Sequence, residues 1–354
     1  MSIITTALVV PQLDGTFDLR EVYLADIQPD EVLVEIHASG ICHSDLSCAV
    51  GKLPCAPNAV LGHEGASNPN SRLAAVCLTC TGAGVVLEIG AEVHSISKGD
   101  KVLLSFSHCE TCKECQSGHP AYCHTFNDRN FGGRRPDGTS AILTAKDGHP
   151  MHSSFFGQSS FARRTLVHRS SVVKVPSDTN LELFASLGCG IQTGAGAVLN
   201  ALDVRPGSTL VVFGVGSVGM AAVMAGKLRG AKTIIAIDLQ QSRLDLSKDL
   251  GATHGVLGSD PNLVERIRSI CPPNGVDYAV DCTGVPAVIK TMIDALGSRG
   301  RGATVGAPGP GNFVNVDIME QLTFGKEYIG CSEGDSLPSK VSPLDGLLMG
   351  VTIV

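Results

Sequence analysis

Short runs of alternating apolar and polar residues, separated by Gly, Pro and Asp, fill the first hundred positions of the chain. They occupy residues 6–10, 32–36 and 84–90, and a fourth run begins with a turn at 98 and continues to 105. A period of two residues is typical of half-buried strands. This part of the chain therefore predicts an all-β domain of the barrel-like kind.

A different pattern begins near residue 209, where apolar strands alternate with helical periods. The expected strands cover 209–213, 233–237, 276–281 and 303–306, and the expected helices cover 218–228, 242–250, 263–270 and 287–296. Such alternation predicts a parallel, doubly wound sheet. The 354 residues are enough for two domains, each with its own core.

The charge balance of the chain argues against two classes of binding partner. Lys and Arg number 27 against 34 Asp and Glu, a net charge of -7, which argues against nucleic acid or an anionic membrane as partner and favours a small molecule. The first residues lack a basic leader region, and no apolar run reaches the roughly 18 residues of a spanning helix. The expected location is the cytosol.

Four of the 13 cysteines lie close together in sequence. They follow the pattern C-x2-C-x2-C-x7-C and are Cys109, Cys112, Cys115 and Cys123. Four thiolates at this spacing can enclose one tetrahedral Zn²⁺ in a closed, structural site. Four unrelated thiols or an iron–sulfur cluster are the alternatives.

A second metal candidate combines Cys42, His63 and Cys189, with Glu64 beside the histidine. Two thiolates and one imidazole leave the fourth position of a zinc ion open, as a catalytic zinc requires to polarise an alcohol or carbonyl oxygen. Asp45 is a candidate to orient the His63 ring. Residues this far apart in sequence also occur as ordinary structural residues, and composition alone does not separate the two interpretations.

A nucleotide-binding pattern follows the strand at 209–213. Gly214, Gly216 and Gly219 form G-x-G-x-x-G at the start of a helix, and Asp238 ends the next strand. The glycines let the backbone approach a pyrophosphate at a helix N-terminus, and the acid can accept hydrogen bonds from ribose hydroxyls. A carboxylate there would repel a 2′-phosphate, so NAD is favoured over NADP.

Together these motifs resemble the zinc-containing alcohol dehydrogenases of the medium-chain dehydrogenase/reductase superfamily. G-I-C-H-S-D (40–45), G-H-E-G (62–65), the four cysteines, G-V-G-x-V-G (214–219) and D-C-T-G (281–284) occur in the family's order. Residues 130–133, 155–160 and 187–200 most resemble the aryl- or benzyl-alcohol dehydrogenase branch. The resemblance implies a GroES-like β-barrel catalytic domain (1–190), a Rossmann NAD-binding domain (191–333) and a C-terminal return segment (334–354).

The resemblance also implies roles for single residues. Cys42, His63 and Cys189 would bind a catalytic zinc, with Glu64 as a neighbouring or exchanging ligand, and the four-cysteine lobe would bind a second zinc. Ser44 would relay the proton of the alcohol, and His43 would approach the cofactor phosphates. Many relatives carry an outer relay histidine at the position that Ser47 occupies here. The family further implies interconversion of alcohols and aldehydes, and a homodimer or homotetramer that pairs through an edge strand of the Rossmann domain.

Two segments depart from the family pattern. Residues 66–82 are an insertion directly after the His63 motif, and residues 341–354 replace the expected C-terminal return. We interpret both as translation of retained introns; a genuine surface loop is the alternative for the first.

The favoured function is NAD-linked oxidation of an aryl or bulky primary alcohol, with a role in fungal secondary metabolism as one hypothesis. The alternatives are a zinc- and nucleotide-binding protein impaired in catalysis, a glutathione-dependent formaldehyde dehydrogenase-like enzyme and, more remotely, a zinc-free reductase of the superfamily.

Overall fold

The computed structural model describes residues 3–63, 82–144, 148–271, 273 and 275–340. Predictions that concern Glu64, residues 66–81 of the insertion and the terminal segment 341–354 lie outside these residues. The chain divides into two compact units. The first runs to Gly190 and takes in the segment that starts at Leu337, and the second runs from Ile191 to Ser336. None of the helices within the described ranges is both long and apolar enough to cross a membrane.

The first unit contains two antiparallel sheets, with strand orders β4-β1-β2-β7 and β8-β3-β5-β6-β9. Its strands are β1 (Ile3–Val10), β2 (Asp18–Leu24), β3 (Glu31–Ala38), β4 (Ala59–Val60), β5 (Ala83–Ile89), β6 (Lys101–Leu104), β7 (Ile142–Thr144), β8 (Arg164–His168) and β9 (Val172–Lys174). The helices up to its end are α1 (His43–Ala49), α2 (Lys113–Gln116), α3 (Phe126–Phe131) and α4 (Leu181–Phe184).

Strand β3 is the central element of this unit because both of its faces are covered. Val32 and Val34 pack into one apolar cluster, whereas Leu33 packs into another that contains Phe106 and Leu166. Alternate side chains of a strand point to opposite faces, so a strand between two cores reads as a nearly continuous apolar run. The strand ends at Ala38, and the short connection to α1 contains Cys42.

The second unit contains one parallel sheet with the order β12-β11-β10-β13-β14-β15. Its strands are β10 (Thr209–Phe213), β11 (Thr233–Asp238), β12 (His254–Leu257), β13 (Val276–Asp281), β14 (Leu296–Thr304) and β15 (Glu327–Gly330). The remaining helices are α5 (Gly190–Gly196), α6 (Ser217–Leu228), α7 (Gln241–Leu250), α8 (Leu263–Ile270), α9 (Pro286–Ala295) and α10 (Ile318–Phe324).

This sheet has the strand order of a doubly wound dinucleotide-binding fold. The chain moves outward from β10 through β11 to β12 and then returns to the other side of β10 as β13. Ligands of such sheets bind beyond the carboxyl ends of the strands at the point where the order reverses, which here is the end of β10. The predicted fold class, an antiparallel GroES-like domain with a Rossmann sheet, is confirmed.

Candidate metal and cofactor sites

Cys42 is held at the start of α1 by a reciprocal cap. Its backbone N–H donates to Asp45 Oδ2 at 2.9 Å, and its Sγ accepts from the backbone N–H of Ser44 at 3.4 Å. A capping box of this kind fixes the direction in which the first residue of a helix presents its side chain. The Ser44 hydroxyl lies 3.6 Å from the Cys42 sulfur, whereas His43 is exposed.

The carboxylate of Asp45 joins the two segments that supply Cys42 and His63. Asp45 is completely buried, and besides the Cys42 N–H it accepts the backbone N–H of Gly62 on Oδ1 at 3.0 Å. The same Oδ1 lies 3.2 Å from His63 Nδ1. An acceptor at Nδ1 keeps a ring hydrogen on that atom, so Nε2 is the nitrogen that a metal ion would bind in exchange for its proton.

His63 is buried between aromatic rings. The ring of Phe156 stacks on it at 4.1 Å between centroids and 11° between planes, and Phe155 meets it edge-on at 5.0 Å. Within the described residues His63 Nε2 is buried without a hydrogen-bond partner. A buried polar atom without a partner is unfavourable unless something else occupies it, so a metal ion fits this position.

Cys189 completes the group from a distant part of the sequence. It follows a 3-10 helix, Ala185–Gly188, whose last carbonyl accepts the Ser105 hydroxyl at 2.7 Å. The ligand atoms of Cys42, His63 and Cys189 all lie within 4.8 Å of one another. The structure therefore brings together three of the four predicted ligands; the fourth, Glu64, lies outside the described residues.

The protonation of this group favours a thiolate. The pKa of Cys42 is held well below its usual value, first by a hydrogen bond with Cys189 and then, against the effect of burial, by the charge of His63. Burial alone would lower the pKa of His63, but the charges of Asp45 and Cys42 outweigh it and raise that pKa well above its usual value. Two thiols and an imidazole that share charge in this way have the chemistry of a zinc site with an open position.

The four lobe cysteines also converge. Their sulfur atoms lie within 4.8 Å of one another, with 3.8 Å between Cys109 and Cys115 and 3.5 Å between Cys112 and Cys115. Tetrahedral zinc with Zn–S bonds of about 2.3 Å places its sulfurs about 3.8 Å apart. Backbone N–H groups of Cys112 and Cys109 donate to sulfur atoms of the cluster, as expected for thiolates. The donor set and its spacing fit a closed zinc site.

Glycine occupies the three positions of the nucleotide motif for different reasons. Gly214 has φ +80°, which favours glycine, and a Cβ on Gly219 would lie 2.0 Å from the carbonyl oxygen of Gly214, where the helix meets the strand. A Cβ on Gly216 would meet no atom of the described residues within 4 Å. Gly214 and Gly219 are thus required by the fold itself, whereas the space at Gly216 is available to a ligand at the N-terminus of α6.

Asp238 ends β11 beside this loop. Its carboxylate accepts the backbone N–H groups of Val215 and Gln240, both at 3.0 Å, and lies 3.6 Å from Arg243 Nη1. The side chain is therefore fixed in position before any ligand arrives.

The aromatic pair next to His63 and the unusual backbone that holds it were not among the predicted site features. Phe155 and Phe156 appeared in the sequence analysis only as part of a branch motif. The adjacent Gly157 is a weak sequence signal of an unusual turn. Ser154, Phe156 and Ser159 all adopt positive φ, near +59°, +51° and +53°. Such conformations are strained for non-glycine residues and gather at functional sites.

An antiparallel domain with two thiol clusters, followed by a parallel sheet with a glycine-rich first turn, defines the class of zinc-binding dehydrogenases. Residues 28–177 match the family model of the alcohol dehydrogenase GroES-like domain, and residues 217–346 match that of the zinc-binding dehydrogenase. The chain is 36% identical over 342 residues to a geraniol dehydrogenase of Castellaniella defragrans, an alignment that covers 95% of this chain and 85% of the relative.

Two solved structures extend the comparison. An alcohol dehydrogenase zinc-binding domain protein from Burkholderia ambifaria superposes with a TM-score of 0.90 at 42% identity, covering 99% of this chain and 90% of its own. A benzyl alcohol dehydrogenase from Acinetobacter calcoaceticus superposes with a TM-score of 0.89 at 39% identity, covering 98% and 90%. The chain belongs to the zinc-containing alcohol dehydrogenases, oxidoreductases that use zinc and a nicotinamide dinucleotide to interconvert small alcohols and aldehydes.

Proposed function

We propose that this protein oxidises primary alcohols with an aryl or otherwise bulky apolar group, and reduces the corresponding aldehydes, with NAD as cofactor. In this proposal the residues up to 190 form the catalytic domain and residues 191–333 bind the dinucleotide. The observation that carries the proposal is the buried His63 Nε2, which has no hydrogen-bond partner among the described residues, on a ring whose ligand nitrogen lies within 4.8 Å of two cysteine sulfurs.

Cys42, His63 and Cys189 would hold the catalytic zinc, and Cys109, Cys112, Cys115 and Cys123 the structural one. A zinc ion with an open position supplies Lewis-acid chemistry that lowers the pKa of an alcohol hydroxyl. Asp45 positions Cys42 and His63 with one carboxylate. Phe156 covers the His63 ring and excludes water from it.

A bound nicotinamide dinucleotide would take up the hydride of the alcohol, so the residues of this chain have to handle the proton. The proton has to reach solvent, and the Ser44 hydroxyl beside the Cys42 sulfur is the group we assign to its first transfer. Ser47 lies one helical turn further along α1, where many relatives have a histidine, so the outer step depends on solvent rather than on an imidazole. Replacing Ser44 with Ala is expected to lower kcat by about 100-fold or more, whereas Ser47→Ala serves as the control and leaves kcat nearly unchanged.

The proposed preference for an aryl or bulky alcohol has support from the comparisons. Geraniol and benzyl alcohol, named in two of the relatives, are both primary alcohols with bulky apolar groups. We expect higher kcat/KM for benzyl alcohol and geraniol than for ethanol. Activity that appears only with formaldehyde and glutathione would instead support the formaldehyde dehydrogenase alternative.

The preference for NAD rests on Asp238. A fixed and buried carboxylate can accept ribose hydroxyl hydrogens but repels a 2′-phosphate, and Arg243 at 3.6 Å is already engaged by that carboxylate. We expect kcat/KM to be higher with NAD than with NADP. A higher value with NADP would contradict this assignment.

The first experiment is a zinc and activity assay with matched cysteine variants. Cys42→Ser is expected to retain zinc only in the four-cysteine lobe and to lose alcohol-dependent NADH formation. Cys55→Ser is the control, because Cys55 is half-buried, outside both clusters, and its pKa is raised by burial to about 11. Cofactor binding by the unaltered chain without any alcohol-dependent NADH formation would support the impaired-protein alternative.

We further propose that the second unit pairs with a second copy of this chain. Apolar side chains are exposed on and beside α10: Phe313 is 83% exposed, Ile318 79% and Leu322 74%. Strand β15 is at the edge of the sheet. Exposed apolar surface next to an open edge is typical of an interface. Sedimentation analysis of the protein and of Leu322→Lys is expected to give a dimer or tetramer and a smaller species, respectively; a monomeric wild type would refute the proposal.

A further inference from the structure

A turn with the sequence F-F-G-Q-S-S, at residues 155–160, is attached to the segment that leads to the ligand histidine; we call it the aromatic turn. The backbone N–H of Ser160 donates to the carbonyl of Gly62 at 2.8 Å. The hydroxyl of Ser159 donates to the carbonyl of Val60 at 2.6 Å. The aromatic turn and the end of that segment are therefore held together by hydrogen bonds of both backbone and side chain.

The backbone of the aromatic turn is strained and tightly enclosed. Phe156 has φ +51° and Ser159 has φ +53°, and Gly157 between them has φ +69°. A Cβ on Gly157 would lie 2.5 Å from Ser171 Oγ, so only glycine fits there. The Ser159 hydroxyl also accepts the backbone N–H of Phe155 at 3.0 Å, which closes the turn. Strained conformations persist only where the surrounding structure holds them, and they gather at functional sites.

Phe156 restricts the one freedom that Asp45 leaves to the His63 ring. Asp45 Oδ1 holds the ring through a single atom, Nδ1, at 3.2 Å, and a ring held at one atom can still tilt. The Phe156 ring lies parallel to the imidazole, 11° from its plane, with 4.1 Å between centroids. Stacking of this kind limits tilting of the imidazole. Phe156 therefore fixes the plane in which Nε2 is presented.

The same turn reaches the third ligand, Cys189, through a chain of buried hydrogen bonds. The Gln158 amide Nε2 donates to the carbonyl of Ser105 at 3.0 Å, and the Ser105 hydroxyl donates to the carbonyl of Gly188 at 2.7 Å. Gly188 directly precedes Cys189 in the chain. The hydroxyl of Thr165 donates to the carbonyl of Gln158 itself. Gln158, Ser105 and Thr165 are each only 1% exposed, so water does not compete for these bonds.

We propose that the aromatic turn positions two of the three ligands of the proposed catalytic metal group. It acts on His63 directly through Phe156, and on Cys189 through Gln158 and Ser105. One rigid element that contacts both ligands fixes the distance between them before a metal ion arrives. This inference rests on the proposed function, because the metal group is the one assigned there.

Chelator titration of the zinc-loaded chain, with zinc analysis, tests the two contacts separately. Phe156→Leu keeps an apolar side chain but removes the stacked ring, and we expect the catalytic zinc to be released at a chelator concentration lower by about 2–10-fold. Ser105→Ala removes the hydroxyl bond next to Cys189, and we expect a decrease of about tenfold. The lobe zinc should be released as in the wild type. Cys42→Ser, which is expected to retain only the lobe zinc, identifies the lobe transition.

A double variant separates a positioning role from general support of the fold. Gln158→Met has a side chain of similar length without the amide, and by itself it should also release the catalytic zinc early. Because Gln158 is proposed to act through Ser105, adding Gln158→Met to Ser105→Ala should cause little further loss. Independent structural damage at the two positions would instead add.

Two matched controls come from the same unit. Ser140→Ala removes another buried hydroxyl, one that donates to the carbonyls of Ile142 and Met151, each at 2.7 Å. Phe17→Leu removes another aromatic ring, one that contacts Phe161 rather than His63. Both variants should release the two zinc ions as the wild type does.

Early release of the catalytic zinc alone in Phe156→Leu, Ser105→Ala and Gln158→Met supports the proposal. This readout does not require alcohol oxidation, so failure of the proposed activity and failure of this inference are distinguishable. Wild-type release in Phe156→Leu or Ser105→Ala, or additive losses in the double variant, would overturn the inference alone. Loss of both ions together in Ser105→Ala and in Gln158→Met would also overturn it, because these residues would then only support the fold. A wild type with zinc in the lobe alone would overturn both proposals.

Discussion

Replacing Asp45 with Asn tests how the proposed catalytic zinc site is held together. The two oxygens of this buried carboxylate receive three contacts, from the backbone N–H groups of Cys42 and Gly62 and from His63 Nδ1. An asparagine of the same shape has only one oxygen. Its NH2 group must face at least one N–H donor, and leaving a buried donor unpaired costs about 1–3 kcal/mol.

This cost applies directly to metal affinity. Removing a carboxylate that orients a ligating histidine typically lowers zinc affinity by about 10–100-fold. A free-energy cost of about 1–3 kcal/mol corresponds to a similar factor in affinity. We therefore expect Asp45→Asn to release zinc from the Cys42, His63 and Cys189 group at a chelator concentration lower by about 10–100-fold.

The four-cysteine lobe provides an internal standard in the same chain. Chelator titration with zinc analysis should show one ion lost early in Asp45→Asn and a second ion held as in the wild type. Asp178→Asn, an exposed acid of the same unit, is the matched control and should leave both transitions unchanged. Equal retention of both ions in Asp45→Asn would refute the role of this carboxylate, and early loss of both would indicate general unfolding.

Three further predictions concern the rest of the structure. Gly216→Ala should leave the melting temperature unchanged and raise the KM for NAD. Gly219→Ala should lower the melting temperature, because its Cβ would lie 2.0 Å from a backbone oxygen. Equal effects of the two variants on both measurements would contradict this. Arg135→Met should lower the free energy of unfolding in urea by about 3–5 kcal/mol because Glu31 stays buried without its partner, and Glu31→Gln in the same background should recover part of the loss. Burial lowers the pKa of His152 from 6.5, so the unfolded chain binds its proton first and stability falls as the pH drops below about 6.5; His152→Gln should flatten this decline in melts between pH 7.5 and 5.

The sequence was sufficient for the strongly periodic elements and for the local motifs. Strands β10, β11 and β13 lie where the apolar runs predicted them, because a buried parallel strand is apolar along its whole length. The edge strand β12 was missed because an edge strand is only partly buried and lacks a continuous apolar run. Strand β12 has three exposed residues out of four and carries no such run. In β14, which lies inside the sheet, Gly297 and Gly300 hid the first half of the strand.

Local sequence patterns predicted some of the site residues but not others. The cysteines of the lobe are close in sequence, so their spacing alone predicted that they converge. Cys42, His63 and Cys189 could be related to one another only through a family resemblance, because no local pattern predicts that three such distant segments meet. The stacking of Phe156 on His63 depends on a positive φ that no propensity indicates for phenylalanine.

The spacing of the ligands along the chain also determines when each metal group can assemble during synthesis. All four lobe sulfurs have been translated once Cys123 is made, and their loop is short, so the entropy cost of closing it is small. The other group needs Cys189 and the folded strands that bring it next to residues made almost 150 positions earlier. Zinc should therefore enter the lobe on the growing chain, where it can nucleate folding, and reach the second group only after Cys189 has been made and the strands around it have folded.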